Sequence, residues 1–231
     1  MMIALALQVV VAADATQPHL AIDGDGVLLA VFLRNGNVEF ASSADQGKTF
    51  SAPVTAIDAK GRAKGGMQRG PRVAVDAQKT IYVTAPLAFD DAEFQKRYPT
   101  QDLYLATSVD GGKTFGKPVM VNDVPKKAPE SLHWLAAGVD GAYVAWLDLR
   151  AREKGQDLFL AKITEKGKKV SRNTPVATSL CECCAPALAV DPKGNPVLAY
   201  RDGAGKSSRP IFLVAASKTV RLNTKESKVD G

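Results

Sequence analysis

The stretch SSADQGKTF, Ser42–Phe50, returns sixty-five residues later as TSVDGGKTF, Thr107–Phe115. Each copy begins at the end of an alternating apolar run, NVEFASS in the first case and DLYLATS in the second. A loop that recurs in this way indicates either a duplicated binding loop or a fold built from a repeating unit. The segments around the two copies decide between these alternatives.

A second repeated element lies upstream of each loop. It reads PHLAIDGDGVLLAVF from Pro18, PRVAVDAQKTIYVTA from Pro71, LAAGVDGAYVAWLD from Leu135 and PALAVDPKGNPVLAYRD from Pro186. Each copy contains a short apolar strand, a turn with an aspartate, and a second alternating strand. A third strand follows, then the loop or a remnant of it, and then a short fourth strand. The turn aspartates, spaced 53, 64 and 51 residues apart, are Asp23, Asp76, Asp140 and Asp191.

Four short antiparallel strands repeated about every fifty residues predict an all-β chain that forms a β-propeller, with about four four-stranded blades present. A β-sandwich is the alternative, but it does not account for near-identical loops at the spacing of a blade. We expect residues 1–16 to be a leader or a first strand. The expected blades are residues 17–58, 59–123, 124–178 and 179–231.

Both repeated loops follow the pattern S-x-D-x-G-x-T-F. The carboxylate can accept backbone N–H bonds across its own turn, and the glycine supplies a positive φ. The threonine hydroxyl can bond the far side of the turn, and the phenylalanine can fill the space between strands. The residues to which we assign this structural role are Ser43, Asp45, Gly47, Thr49, Phe50, Ser108, Asp110, Gly112, Thr114 and Phe115.

These loops match the Asp-box, or bacterial neuraminidase repeat, and the blades around them resemble the sialidase superfamily from about Gln17 onward. The motif is specific to the fold and less so to activity, because Asp-boxes also occur in propellers without known catalysis. A third copy, ITEKGKKV from Ile163, keeps Gly167 but has Glu165 and Val170 in place of Asp and Phe. Sialidases have six blades, so the resemblance implies part of a longer propeller; a closed four-bladed propeller is the alternative.

The resemblance also implies a set of site residues. Sialidases bind the substrate carboxylate with an arginine cluster and use a carboxylic acid together with a Tyr–Glu nucleophile. Arginine suits the first task because its rigid guanidinium bonds a carboxylate at two points. The candidates at strand ends are Arg72, Arg150 and Arg201 for substrate binding, with Asp148 and Asp202 as catalytic or orienting carboxylates. Each Arg–Asp neighbour pair is equally consistent with a structural ion pair.

The sequence also departs from the sialidase pattern. The arginine motif of the family's first blade, Phe or Tyr followed by Arg-Ile-Pro, is not present, and RGPRVAV at 69–75 does not match it. The tyrosine nucleophile comes from later blades in sialidases, and Tyr200 lies within an apolar strand. The sequence therefore predicts a sialidase-like, glycan-directed propeller with no nucleophile assigned. A non-catalytic propeller that binds glycan or protein is the alternative.

The three cysteines, Cys181, Cys183 and Cys184, lie together in CECC. An odd number cannot close fully into bridges within one chain. Similar cysteine-rich blade openings in bacterial Asp-box proteins have a further cysteine downstream, so the resemblance favours a disulfide clamp. A soft-metal site for Cu(I) or zinc is the alternative, but Cys-x-Cys is not the usual zinc spacing. We predict no cofactor and no metal.

The charge and the N-terminus bear on partners and compartment. The formal charge is +6, but it is scattered, without the blocks or the basic–aromatic interleaving of nucleic-acid binding proteins. An acidic or sialylated glycan suits such a surface, and we predict no nucleic acid partner. The apolar start, MMIALALQVVVAADA, ends in small residues and is too short to span a membrane. It favours a secreted or periplasmic protein.

Overall fold

The computed structural model describes residues 9–66, 69–97, 100–128, 132–150, 155–203, 209–216 and 218–223. These residues form four antiparallel sheets, each made from one continuous segment of the chain. The first sheet contains β1 (Thr16–Ile22), β2 (Leu28–Arg34), β3 (Asn37–Ser43) and β4 (Val54–Ile57). The second contains β5 (Arg72–Val75), β6 (Ile81–Ala88), β7 (Gln101–Ser108) and β8 (Val119–Met120). The third contains β9 (His133–Ala137), β10 (Ala142–Asp148), β11 (Gln156–Thr164), β12 (Lys169–Val170) and β13 (Thr174–Leu180). The fourth contains β14 (Ala187–Val190), β15 (Pro196–Arg201), β16 (Ile211–Ala215) and β17 (Lys218–Arg221).

The sheets have the topology of propeller blades. Within each sheet the strands pair in chain order, and in the third sheet β12 and β13 share the role of the fourth strand by pairing with β11. The innermost strands β1, β5, β9 and β14 contact one another in succession. One short helix, α1 (Asp91–Gln95), lies between β6 and β7. The all-β propeller of about four blades that the repeats predict is confirmed. The four sheets span 16–57, 72–120, 133–180 and 187–221, so the first and third extend slightly beyond the expected blade limits.

Three apolar cores lie between neighbouring blades. The first joins β2 and β3 to β5 and β6, the second joins β6 and β7 to β10 and β11, and the third joins the third blade to the fourth. The middle strands supply most of these side chains, and every residue of β6 is buried. Burial on both faces explains why β2 and β6 are apolar along most of their length instead of alternating. Each blade is therefore stabilised by its neighbours.

Aspartates close the inner hairpins of three blades. Asp23 Oδ1 accepts hydrogen bonds from the N–H groups of Asp25 and Val27, each at 2.9 Å. Asp76 accepts from residues 78 and 80 in the same way, and Asp191 from residues 193 and 195. A side-chain oxygen that bonds its own turn replaces ladder bonds that the backbone cannot make there. The repeated aspartates of the sequence thus have a structural explanation.

The two repeat loops, 43–50 and 108–115, have the same hydrogen bonds. In the first, Asp45 accepts from the Thr49 N–H at 2.9 Å and from the Thr49 hydroxyl at 2.6 Å, while Ser43 Oγ accepts from the Gly47 N–H at 2.8 Å. The equivalent distances in the second are 3.0, 2.6 and 2.9 Å. Gly47 and Gly112 both have φ of 85°. The bonds from Thr49 lower the pKa of Asp45 to about 2, and those from Thr114 also lower the pKa of Asp110.

The second repeat loop also joins two blades. The Phe115 ring packs edge-on against Phe40 of β3, with ring centroids 5.3 Å apart. Gly112 lies beneath the same ring, so that a Cβ on this residue would be 2.1 Å from Phe40. The third blade repeats the arrangement with Gly167, whose Cβ would be 2.2 Å from the Thr107 side chain of β7. These turns therefore fasten each blade to the one before it.

We predict that Gly112→Ala destabilises the protein more than Gly111→Ala. Both glycines have positive φ, which costs an alanine about 1–2 kcal/mol. Only at Gly112 would the methyl group also displace the Phe40 ring, which adds about 1–3 kcal/mol. Urea unfolding of the two variants measures the difference. An equal loss of stability in the two variants would show that the loop does not hold Phe40 in place.

Candidate functional site

The upper face of the propeller is defined here as the edge where the inner strands begin and the second strands end. Arg72, the first residue of β5, pairs with Thr84 in the middle of β6. The second repeat loop starts from the opposite edge, where Ser108 pairs with Ile81, the first residue of β6. The candidate substrate-binding and catalytic residues belong to strand ends or connections at the upper face, as do the three cysteines. These candidates are Arg72, Asp148, Arg150, Arg201 and Asp202. Their partners, however, differ from one residue to the next.

The inner strands place three functional side chains at one register position. The hairpins close at the pairs Ile22–Leu28, Val75–Ile81, Ala137–Ala142 and Val190–Pro196. Three residues before the closing pair, the four strands carry in turn His19, Arg72, Trp134 and Ala187.

The first three of these side chains are called the axial cluster (His19, Arg72 and Trp134), and Trp134 contacts both of the others. The Arg72 guanidinium carbon lies 5.1 Å from the Trp134 ring centroid, and the His19 and Trp134 rings meet edge to face at 6.0 Å. All three side chains are half-buried. A cation, an indole face and an imidazole from three different blades therefore meet around the axis.

The environment of His19 fixes its protonation. Its Nδ1 accepts a hydrogen bond of 3.2 Å from the Val73 N–H of the next blade. Burial, together with the nearby Arg72 charge, lowers the pKa of His19 to about 4. The imidazole is therefore neutral at pH 7 and carries its proton on Nε2, where it can donate a hydrogen bond. Burial also lowers the pKa of Arg72, but a guanidinium keeps its charge at neutral pH.

Arg150 and Asp148 form a closed ion pair. The carboxylate accepts from the Arg150 Nε and Nη2, each at 2.8 Å, from the Arg150 N–H at 2.8 Å, and from Trp146 Nε1 at 3.0 Å. Arg150 Nη1 also donates to Asp123 at 2.6 Å, and Nη2 donates to Asn173 at 3.1 Å. The Asp148 side chain has no exposed surface. This geometry matches the structural alternative for the pair more closely than substrate binding and proton donation.

Arg201 and Asp202 lie beside the cysteines. Arg201 Nη1 is 3.5 Å from the Cys184 sulfur, and this hydrogen bond raises the pKa of Arg201. The Asp202 N–H donates to Pro210 at 2.9 Å, and Asp202 forms a single β-bridge with Leu180. The candidate arginines Arg72, Arg150 and Arg201 thus have separate partners in three blades. Their substrate-binding role, and the catalytic role of the two aspartates, stay predictions.

The three cysteines converge on one point. The sulfur–sulfur distances are 3.3 Å for Cys181–Cys183, 3.2 Å for Cys181–Cys184 and 3.9 Å for Cys183–Cys184. Burial opposes ionisation of Cys181, but hydrogen bonds from the Cys183 backbone and the two other thiols hold its pKa below its ordinary value. The bond to Cys181, followed by burial, raises the pKa of Cys183 to about 11. All three are free thiols.

A cleft of about 250 Å³ separates the first and second blades. Charged and aromatic groups that the sequence analysis did not select line it, among them Arg62, Asp102 and Tyr104. Arg62 donates to the Phe89 carbonyl at 2.7 Å, and Asp102 accepts from Asn122 at 2.7 Å. The Arg62 bond ties the connection between the two blades to the second blade, and the Asp102 bond lies within the second blade and its end, so we give the cleft a structural role.

Sequence reasoning missed His19 and Trp134. Neither belongs to a motif, but aligning the inner strands of the repeat would have shown that both occupy the position of Arg72. Cys181 and Cys184 have Cys-x-x-Cys spacing and the shortest sulfur–sulfur distance of the three, a spacing not weighed in the sequence interpretation. Over the part of the chain that the structure describes, no helix is long and apolar enough to cross a membrane.

The fold is similar to that of known glycan-processing propellers. No protein-family model and no curated protein matches the sequence. A Hadza microbial sialidase aligns with a TM-score of 0.62 and 16% identity, over 94% of this chain and 48% of that chain. An α-L-arabinofuranosidase from Fusarium graminearum aligns at 0.56 and 16%, over 90% and 66%. The NanB sialidase from Streptococcus pneumoniae aligns at 0.54 and 11%, over 96% and 54%. The chain thus spans about half the length of these sialidases, and at such identities the likeness establishes the propeller fold alone.

We predict that Arg150→Gln lowers the free energy of unfolding by about 3–5 kcal/mol, because it leaves the Asp148 carboxylate buried without its cation. The double variant Asp148→Asn, Arg150→Gln removes that buried charge and should recover part of the loss. Urea unfolding of both variants tests this. Unchanged stability in Arg150→Gln would instead leave the arginine available for a ligand.

We predict that stability falls between pH 6.5 and pH 4 through His19. The unfolded chain takes up a proton near pH 6.5, whereas the folded chain resists it down to about pH 4, so acid favours unfolding in this window. In His19→Asn the amide oxygen can still accept from Val73, but nothing titrates. Urea midpoints measured from pH 7 to pH 4 should fall less steeply for this variant. If the urea midpoints of the two proteins fell in parallel, His19 would not be the titrating group, because the other histidine, His133, is present in both proteins.

Proposed function

We propose that this propeller binds a carboxylate-bearing glycan, such as a sialylated sugar, at the axial cluster. The observation that carries the proposal is the meeting of Arg72 and Trp134, with His19 beside them, at one register position of three inner strands. Each side chain keeps part of its surface exposed, so all three are within reach of a ligand at the upper face.

The three groups suit an acidic sugar in different ways. A guanidinium bonds a carboxylate at two points, and this pairing is stronger than a neutral hydrogen bond. The indole offers a large apolar surface for the C–H face of a sugar ring. The neutral His19 can donate from Nε2 to a hydroxyl without adding a second positive charge. Together they distinguish an acidic sugar from a neutral one through Arg72.

The residues favour binding over hydrolysis. Glycoside hydrolysis of the retaining kind requires a proton donor and a nucleophile about 5 Å apart. The Asp148 carboxylate is buried and occupied by Arg150 and Trp146, so we assign it a structural role. Asp202 is the other carboxylate of the sequence-predicted pair, and its catalytic role stays a prediction. A sialidase and an α-L-arabinofuranosidase share this fold, which supports a glycan as the ligand. A glycan target also agrees with the predicted secreted or periplasmic location.

Titration calorimetry with 3′-sialyllactose, and with lactose as the neutral sugar, tests the proposal. We expect sialyllactose to bind and lactose to bind at least tenfold more weakly. Arg72→Gln and Trp134→Ala should each weaken sialyllactose binding at least tenfold, because a charged hydrogen-bonded pair or an aromatic contact contributes about 1–3 kcal/mol. Arg221→Gln, on exposed β17, has the same change in charge and should bind as the wild type does.

Two results would overturn the binding assignment. Equal affinity of Arg72→Gln and wild type would place the ligand elsewhere. Release of the fluorophore from a fluorogenic sialoside, lost in Asp202→Asn, would show that the chain is a hydrolase and that the acid is Asp202.

A further inference from the structure

Although the sequence predicts no metal, we infer from the geometry that Cys181, Cys183 and Cys184 form a three-coordinate site for a soft monovalent ion, Cu(I). The site lies in the connection between β13 and β14 and is separate from the glycan-binding axial cluster. Of the His, Cys, Asp and Glu side chains in the described ranges, these three are the group whose ligand atoms come together, all within 4.8 Å of one another.

The sulfur atoms have nearly the spacing that one ion requires. The three edges of the sulfur triangle are 3.2, 3.3 and 3.9 Å. A point equidistant from the three sulfurs lies about 2 Å from each, close to the metal–thiolate distance of about 2.3 Å. An expansion of a few tenths of an ångström would therefore place an ion in or just above the plane of the sulfurs.

The backbone holds the cysteines in this arrangement. The Cys181 N–H donates to the Arg201 carbonyl at 3.3 Å, and the Cys184 N–H donates back to the Cys181 carbonyl at 3.3 Å. The first bond attaches the segment to the end of β15, and the second closes a turn that points the sulfurs the same way. Cys181 is 4% exposed, whereas Cys183 is exposed, so the site has a buried base and an open side for entry.

The ligand type and number favour Cu(I) over zinc. Thiolates are soft ligands that select Cu(I) and zinc over harder ions. Structural zinc sites almost always take four protein ligands in a tetrahedron. Here the group of candidate ligands within the described residues contains three sulfurs and no histidine or carboxylate. Three sulfurs around one ion fit the trigonal coordination of Cu(I).

Two arginines balance the charge of such a complex. Arg201 Nη1 lies 3.5 Å from the Cys184 sulfur, and Arg209 Nη1 lies 3.7 Å from the Cys181 sulfur. Three thiolates and one Cu(I) carry a charge of −2, which the two guanidinium groups offset. Binding is a ligand exchange: Cu(I) gives up its chelator or solvent ligands, three S–H protons leave for solvent, three Cu–S bonds form, and copper stays Cu(I) without electron transfer.

Anaerobic titration of the reduced protein with Cu(I), in competition with bicinchoninate, tests the site. We expect one Cu(I) per chain, retained against the chelator. Cys183→Ser changes an exposed position and should fold normally, yet it should weaken binding by at least about a hundredfold, more than the loss of an outer-shell partner. Arg209→Gln should weaken binding by about tenfold. Glu182→Gln, in the same turn, is the matched control and should bind within twofold of the wild type.

Each contrary result overturns a defined part of the assignment. No retained Cu(I), or equal retention by Cys183→Ser, would rule out the three-sulfur site. Displacement of Cu(I) by one equivalent of Zn(II) would show that the ion is divalent, and unchanged affinity in Arg209→Gln would remove the charge argument. Circular dichroism of every variant confirms that it is folded. Sialyllactose binding is measured separately and should not depend on copper. Failure of the copper site would therefore not affect the proposal for the axial cluster.

Discussion

The packing of apolar sheet faces against one another is the interaction on which the rest of this structure depends. The middle strands of the first three blades are buried along most of their length, and a single four-stranded sheet cannot cover two apolar faces. Neighbouring blades cover these faces, and the polar bonds of the repeat follow from that arrangement. The turn aspartates satisfy backbone donors at the hairpin ends, and the repeat loops place Gly112 and Phe115 against the preceding blade.

The same packing creates the upper face. Because the inner strands lie side by side around one axis in a common register, a single position in the repeat is brought together three times. The axial cluster forms at that position, although His19, Arg72 and Trp134 are different residue types and belong to no common sequence motif. Other side chains at the upper face, such as Arg150, are instead held by ion pairs and side-chain hydrogen bonds. A propeller thus assembles a site from residues that are ordinary in their own blades.

The sequence was sufficient for features that depend on local chemistry. The aspartate turns and the two repeat loops could be predicted because their hydrogen bonds join residues two to four positions apart. The strand order could be predicted because the four-strand unit recurs along the chain. Features that depend on distant partners could not be predicted in this way. Arg150 bonds Asp123 and Asn173, which lie 27 and 23 residues away, so its sequence neighbour Asp148 alone could not separate a structural pair from a site. For the axial cluster, the missing information was the register of the inner strands, which turns three unrelated residues into neighbours.

Each blade is built from one uninterrupted segment of chain, and the repeat turns of the second and third blades each fasten to the blade before them. This polarity bears on how the protein is made. The ribosome synthesises the blades in the order in which they pack. Each new sheet can therefore pair its own strands at once and then pack against the preceding blade, which has already been synthesised. Few contacts must wait for residues synthesised much later, and the apolar face of the most recently completed sheet is the surface that remains uncovered during synthesis.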